Sequence, residues 1–189
     1  AGSAALAQWW LRPQDRALLF ESSPAVAADL RRAMAALDPG RLCRVEVLEE
    51  DSYRWFTDER VDSLAGRGLV FIDPPYDSVN SYFTWNLFML RHLRRTWPGS
   101  TLALWYPLFS PGQTASFLQR ARALELGDVL AAELAVPRRL PQQLPGSGML
   151  LVGPPPGLEA GLREVLPALA GMLQRGPEQC AAASVFWLS

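Results

Sequence analysis

Apolar residues along the chain switch repeatedly between helical spacing and short continuous runs. That rhythm is the mark of strands and helices alternating around a largely parallel sheet, so the pattern predicts an α/β protein. Ser3 to Leu11 reads as a helix ended by Arg12-Pro13, and Ala17 to Phe20 as a buried strand closing on Glu21. Pro24 opens a helix to about Ala36, at a position where a missing N–H costs nothing. Pro39-Gly40 breaks the chain, and Cys43 to Leu48 alternates as a strand before Glu49-Glu50-Asp51. A helix from Ser52 to about Leu64 is stopped by Gly66, and Gly68 to Ile72 is a central-strand run with no charge until Asp73. Next come a helix from about Ser81 to Arg95, ended at Pro98-Gly99, and a strand from Thr101 to Tyr106. Ser110 caps a helix to about Leu126, followed by a strand from Val129 to Val136. Arg138 to Gly146, rich in Pro and Gln, reads as a loop, and Met149 to Val152 as a strand. Glu159 to Leu173 is helical despite Pro167, and Ala181 to Leu188 is a final strand. No repeat or linker interrupts this order, so the expectation is one domain over residues 1–189.

Composition agrees: 49% hydrophobic residues in a chain of 189 can fill one substantial core. No apolar run approaches the roughly 18 residues that span a bilayer, and the N-terminal stretch lacks the basic start of a secretory signal. The expectation is a soluble, cytoplasmic protein. With a net charge of −1 there is no global field for a polyanion, so any nucleic-acid contact must come from local clusters. All 18 basic residues are Arg, the side chain suited to bidentate phosphate contacts. Cys43 and Cys180 have no metal-ligand spacing and read as buried thiols. His92, the only histidine, lies amid Arg91, Arg94 and Arg95 on a helix and has no partners for a metal site or a triad. Those arginines form either a solvated face or phosphate contacts.

In open α/β sheets, ligands bind outside the carboxyl ends of the strands, which directs attention to polar residues just after apolar runs. Glu21, Asp51 and Asp73 occupy such positions. Glu21 and Asp51 also suit ordinary helix-capping or first-turn roles. Asp73-Pro74-Pro75-Tyr76 is more specific, because two prolines fix the backbone and remove two donors, leaving a carboxylate and carbonyls as pure acceptors. Such a turn accepts from an amine. An adenine exocyclic amine bonded to the Asp73 carboxylate and the Pro74 carbonyl would turn its lone pair toward an electrophile, with the Tyr76 ring offering a face to an unstacked base. Trp105-Tyr106-Pro107, ending the following strand, either walls that pocket or belongs to the core. Arg138 and Arg139 open a loop at the expected edge of the site and are candidates for RNA contact.

Beyond this motif the chain resembles the bacterial large-subunit ribosomal RNA adenine-N(6)-methyltransferase J family, also called YhiR. The resemblance rests on the helix starting at Gly2-Ser3, Leu19 to Pro24, Arg67 to Tyr76, Ala103 to Pro107, Glu133 to Val136 and Ser147-Gly-Met149, in that order. It implies a Rossmann-like, S-adenosylmethionine-dependent methyltransferase sheet with helices on both faces, methylating N6 of an adenine in 23S ribosomal RNA. By the same resemblance Glu21 accepts from the cofactor ribose, Asp51 lies near the cofactor adenine, and Asp73 to Tyr76 hold the target amine. Asp73 thereby touches both cofactor and target. Tyr76, Trp105, Tyr106, Arg138 and Arg139 are the substrate-binding candidates. The resemblance implies no metal, no covalent intermediate, no membrane, RNA outside the fully assembled ribosome as partner, and a monomer at full length.

This sequence departs from the family pattern in places. The family's first strand, its glycine-containing cofactor loop and its basic, histidine-bearing start have no counterpart before Glu21. That first strand lies between the second and fourth in the family sheet, so the expectation is a piece of a longer protein. Gly153-Pro154-Pro155-Pro156 stands where the family has an Asn-Pro-Pro-aromatic turn, and Ser23 where it has a histidine. Two other functions fit the same residues: a DNA adenine methyltransferase, or an inactive methyltransferase-like protein that binds RNA.

Overall fold

The structure is a computed structural model and describes residues 2–37, 44–58, 64, 66–74, 76, 79–136, 144–174 and 181–188. It divides into two compact units, Ala1–Val61 and Asp62–Ser189. Cys43, Pro75, Arg138, Arg139 and Cys180 lie outside the described residues.

The first unit runs α1 (Ser3–Trp10), β1 (Arg16–Phe20), α2 (Pro24–Leu37), β2 (Arg44–Leu48) and α3 (Ser52–Thr57). Strands β1 and β2 pair in parallel from Arg16 opposite Arg44 to Phe20 opposite Leu48, with α2 as the crossover that parallel strands require. Because the two strands finish level, Glu21 and the residues after Leu48 emerge at one end of the pair. Ala27 and Met34 of α2 are buried with Ala5 and Gln8 of α1, and the Gln8 amide donates to the Met34 carbonyl at 3.4 Å. Phe20 packs against Trp55 and Phe56 of α3, with ring centres 5.1 and 5.4 Å away.

The second unit holds β3 (Gly68–Ile72), α4 (Val79–Thr96), β4 (Ser100–Pro107), α5 (Pro111–Arg122), β5 (Val129–Ala135), β6 (Gly146–Val152), α6 (Leu158–Leu173) and β7 (Ala182–Trp187). Its sheet has the order β3-β4-β6-β5-β7. Only β3 and β4 pair in parallel; β4 with β6, β5 with β6, and β5 with β7 are antiparallel. The expectation of a largely parallel sheet is corrected here to a mixed one. The cause is the β5–β6 connection, which contains no predicted helix to carry the chain back across the sheet.

Helices cover both faces of this sheet. On one, Leu158, Leu162 and Leu166 of α6 pack on Ala103, Leu130, Ala132, Leu151 and Val185. The other takes α4 and α5: Phe117 meets the ring of the fully buried Tyr106 and stacks on Phe83 at 4.4 Å. Strands β1 and β3 belong to different sheets, and among the described residues each is paired along one edge only.

Candidate active site

Asp73, Pro74 and Tyr76 follow the carboxyl end of β3, and among these described residues it is the tyrosine whose contacts reach other elements. Its hydroxyl donates to the Trp105 carbonyl at 2.6 Å, and the Asn86 side-chain amide donates to it at 3.1 Å. Its ring lies among Phe83, Trp105 and Phe109, at centroid distances of 5.7, 5.5 and 6.4 Å. The turn after β3 is thereby tied to the end of β4 and to α4. Register explains why these groups meet: Ile72 pairs with Leu104, so Asp73 and Trp105 lie at the same end of neighbouring parallel strands.

Asp73 is exposed as a residue, yet its carboxylate is pushed above the ordinary carboxylate range by partial desolvation. A partly desolvated carboxylate suits a neutral N–H donor. Trp105 is half-buried and joins Tyr76. Its neighbour Tyr106 points the other way, as successive strand residues must, and is fully buried. The Tyr106 hydroxyl donates to Glu133 at 2.8 Å, and both burial and that carboxylate push its pKa up. Of the two roles open to Tyr106, wall or core, the structure gives it the core and leaves it no surface.

Two further residues were not singled out from the sequence. Asn86 is fully buried on the inward face of α4, among Phe83, Leu87, Leu90 and Leu93, where an apolar residue is the default. A polar residue at such a helical position was the available signal. Phe109, beyond the end of β4, had no signal of its own.

In the first unit, Glu21 Oε1 accepts from the Ser23 N–H at 2.8 Å, which shapes the turn into α2. Since Ser23 contributes its backbone here, the turn does not depend on a histidine side chain. Asp51 caps α3, Oδ1 accepting from Tyr53 and Arg54 N–H at 2.8 and 3.4 Å. Asp51 thus fills its ordinary capping role. Among the described residues the hydrogen bonds to these carboxylates fall on one oxygen of each, Glu21 Oε1 and Asp51 Oδ1. A shallow depression lined by Glu49, Glu50, Asp51, Arg54 and Asp58 adjoins the cap.

The family's Asn-Pro-Pro-aromatic turn is replaced at a place where it does not bear on this site. Val152 pairs with Leu102, so the Gly153–Pro156 turn leaves the sheet at the opposite end of β4 from Trp105. There Gly153, at φ 61°, accepts from the Thr101 hydroxyl at 2.9 Å. Ser147 and Gly148, by contrast, pair with Pro107 and Tyr106 beside the site. No group of three His, Cys, Asp or Glu among the described residues is placed to hold a metal ion, and no helix there is long and apolar enough to cross a membrane.

A parallel β1–β2 pair joined by a helix, and a mixed sheet covered by helices on both faces, make this an α/β fold. The fold is matched by a crystal structure from Legionella pneumophila, a protein of the family DUF519, with a TM-score of 0.81 at 23% identity over 98% of this chain and 65% of that one. The chain belongs to the RsmJ family, whose model, described as "Ribosomal RNA large subunit methyltransferase D, RlmJ", matches residues 1–189. Among its relatives, the Ribosomal RNA large subunit methyltransferase J of Haemophilus influenzae is 32% identical over all of this chain. The protein of the same name from Escherichia coli is 29% identical over 99% of it. The chain spans 64% of the length of each of these two relatives.

Proposed function

We propose that the protein carrying this chain transfers a methyl group from S-adenosylmethionine to N6 of an adenine in 23S ribosomal RNA. The observation that carries the reading is the turn at the end of β3. It presents a partly desolvated Asp73 and the Pro74 carbonyl, and Tyr76 is held by two hydrogen bonds and three aromatic neighbours. Residues 1–189 act in this reading as one methyltransferase domain of a cytoplasmic, monomeric enzyme.

The residues present fit the donor-bearing side of the cofactor. Glu21 and Asp51 emerge at one end of the β1–β2 pair, where their carboxylates would accept from ribose hydroxyls or the adenine amine. When bound, S-adenosylmethionine supplies a methyl group activated by its sulfonium. The chain's own work is positioning and charge stabilisation. Asp73 and the Pro74 carbonyl would accept hydrogen bonds from the two amine N–H groups, which turns the nitrogen lone pair outward for attack. The Asp73 carboxylate would stabilise the positive charge that grows on the amine as it takes up the methyl group. The extra proton then leaves to solvent, because the amine becomes acidic only once transfer has begun. The Tyr76 hydroxyl is already engaged, so it meets the base through its ring.

Labelled methyl transfer to 23S ribosomal RNA by the natural protein tests this, with Asp73→Asn as the key variant. Activity should fall by at least about a hundredfold, the scale of removing a charge from a preorganised site. The same variant should melt at a higher temperature near neutral pH. A carboxyl whose folded pKa is raised contributes stability when protonated, and that contribution is lost as pH rises through the folded pKa. The advantage of the Asn variant should therefore vanish as pH drops below the ordinary carboxylate range. Methylation of duplex DNA in preference to RNA, or full activity in Asp73→Asn, would sink the reading.

A further inference from the structure

Helix α4 carries a face that this chemistry does not use. Its inward positions, Phe83, Asn86, Leu87, Leu90 and Leu93, are buried, and between them Trp85 and Phe88 stand 56% and 48% exposed. Trp85 meets Phe88 edge to face at 6.1 Å, and Phe88 stacks on His92 at 6.1 Å and 17°. Aromatic rings therefore run in a row along the helix. Arg91 and Arg95, also exposed, continue the stripe three and seven residues beyond Phe88. From α5, Arg120 donates to the Thr84 hydroxyl at 2.9 Å, which brings another guanidinium alongside.

Charge on these two helices is one-sided. Together α4 and α5 hold five arginines, Arg91, Arg94, Arg95, Arg120 and Arg122, and no Asp or Glu, in a chain whose net charge is −1. Arg94 is tied to the Leu126 and Pro98 carbonyls; the next acids along the chain, Glu125 and Asp128, come only after α5 ends. An apolar peptide laid on Trp85 and Phe88 would desolvate the neighbouring guanidiniums without pairing them. A flexible polyanion with flat rings satisfies both features, as surfaces that bind single-stranded nucleic acid do.

We propose that the outer face of α4, flanked by α5, is a docking surface for a single-stranded stretch of the substrate RNA. Bases stack on Trp85 and Phe88, and phosphates pair with Arg91, Arg95 and Arg120. The surface deepens the RNA reading above and rests on it.

The test uses the natural protein and a labelled single-stranded oligoribonucleotide, with affinity read by fluorescence anisotropy across a salt series. Trp85→Ala with Phe88→Ala should weaken binding about tenfold or more, since each stacked base contributes substantially. Arg91→Ala with Arg95→Ala should lower the slope of log affinity against log salt by about 1.4, roughly 0.7 for each phosphate of a single strand that is no longer neutralised. Cofactor affinity should stay unchanged in both. Wild-type RNA affinity and salt slope in both variants overturn the proposal. So does a change of oligomeric state in the aromatic variant without a change in RNA binding, because the occupant would then be protein. RNA binding that depends on α4 in a protein that methylates no RNA would uphold this surface and overturn the proposed reaction.

Discussion

The Tyr76 hydroxyl donates a hydrogen bond to the Trp105 carbonyl and accepts one from the Asn86 amide, so its orientation is set from two sides. By its hydrogen bond to that hydroxyl, Asn86 is a positioning residue that acts through Tyr76. Asn86→Leu keeps the bulk and removes the donor. A hydrogen bond of this kind contributes about 1 kcal/mol net, so methyl transfer should fall about fivefold in kcat with the KM for S-adenosylmethionine unchanged. Asn86→Asp should fail to rescue it, since an ionised carboxylate cannot donate. An equal loss in KM and kcat, or wild-type turnover in the Leu variant, would show that Asn86 merely fills space. At this scale the sequence was legible where chemistry is written in consecutive residues, as in Asp73 to Tyr76. It was not legible where the partner comes from another element, because the contact of Asn86 with Tyr76 depends on how α4 packs.

Elements were read most accurately where pattern and local chemistry agree. Strand β3 spans Gly68–Ile72 as expected, and Ser110 caps α5, accepting from the Gln113 N–H at 3.3 Å. Two boundaries moved for physical reasons. Helix α5 ends at Arg122, ahead of Leu126, because Glu125 and Gly127 adopt φ of 50° and 84° and turn the chain. Strand β6 begins at Gly146, ahead of Met149, although glycines weaken strands on their own. Gly148 is there because the Tyr106 ring lies over it, in the space a Cβ would fill, and Gly146 closes equally tightly on the Leu134 carbonyl. Small residues that read as loop in isolation thus form a strand because a neighbour requires their size. Gly148→Ala should cost about 1–3 kcal/mol by overpacking against a fully buried ring. Denaturant unfolding measures it, and an unchanged midpoint would mean that Tyr106 can move aside without loss.

For the whole molecule, alternating elements indicated the α/β class, but they did not give the mixed sheet or the division into two compact units. Strand direction depends on how the chain returns after β5, and the pattern recorded the missing helix there without its consequence. The proposed functions divide along the chain in the same way: Glu21 and Asp51 in the first unit accept from the cofactor, whereas Asp73, Tyr76 and the α4 face in the second meet RNA. This division is testable because both acids have structural duties that an amide can take over. In Glu21→Gln the side-chain oxygen still accepts from the Ser23 N–H, and in Asp51→Asn the cap of α3 is retained, Asn capping about as well as Asp. Each substitution removes a charge that a ribose hydroxyl or adenine amine would bond, an interaction of about 1.5–3 kcal/mol. By calorimetry on the natural protein, S-adenosylmethionine should therefore bind about tenfold to a hundredfold more weakly in each variant, while melting temperature and RNA affinity remain as in the wild type. If both variants bind the cofactor as before, these acids only shape the ends of α2 and α3. Cofactor binding would then have to be sought in other residues.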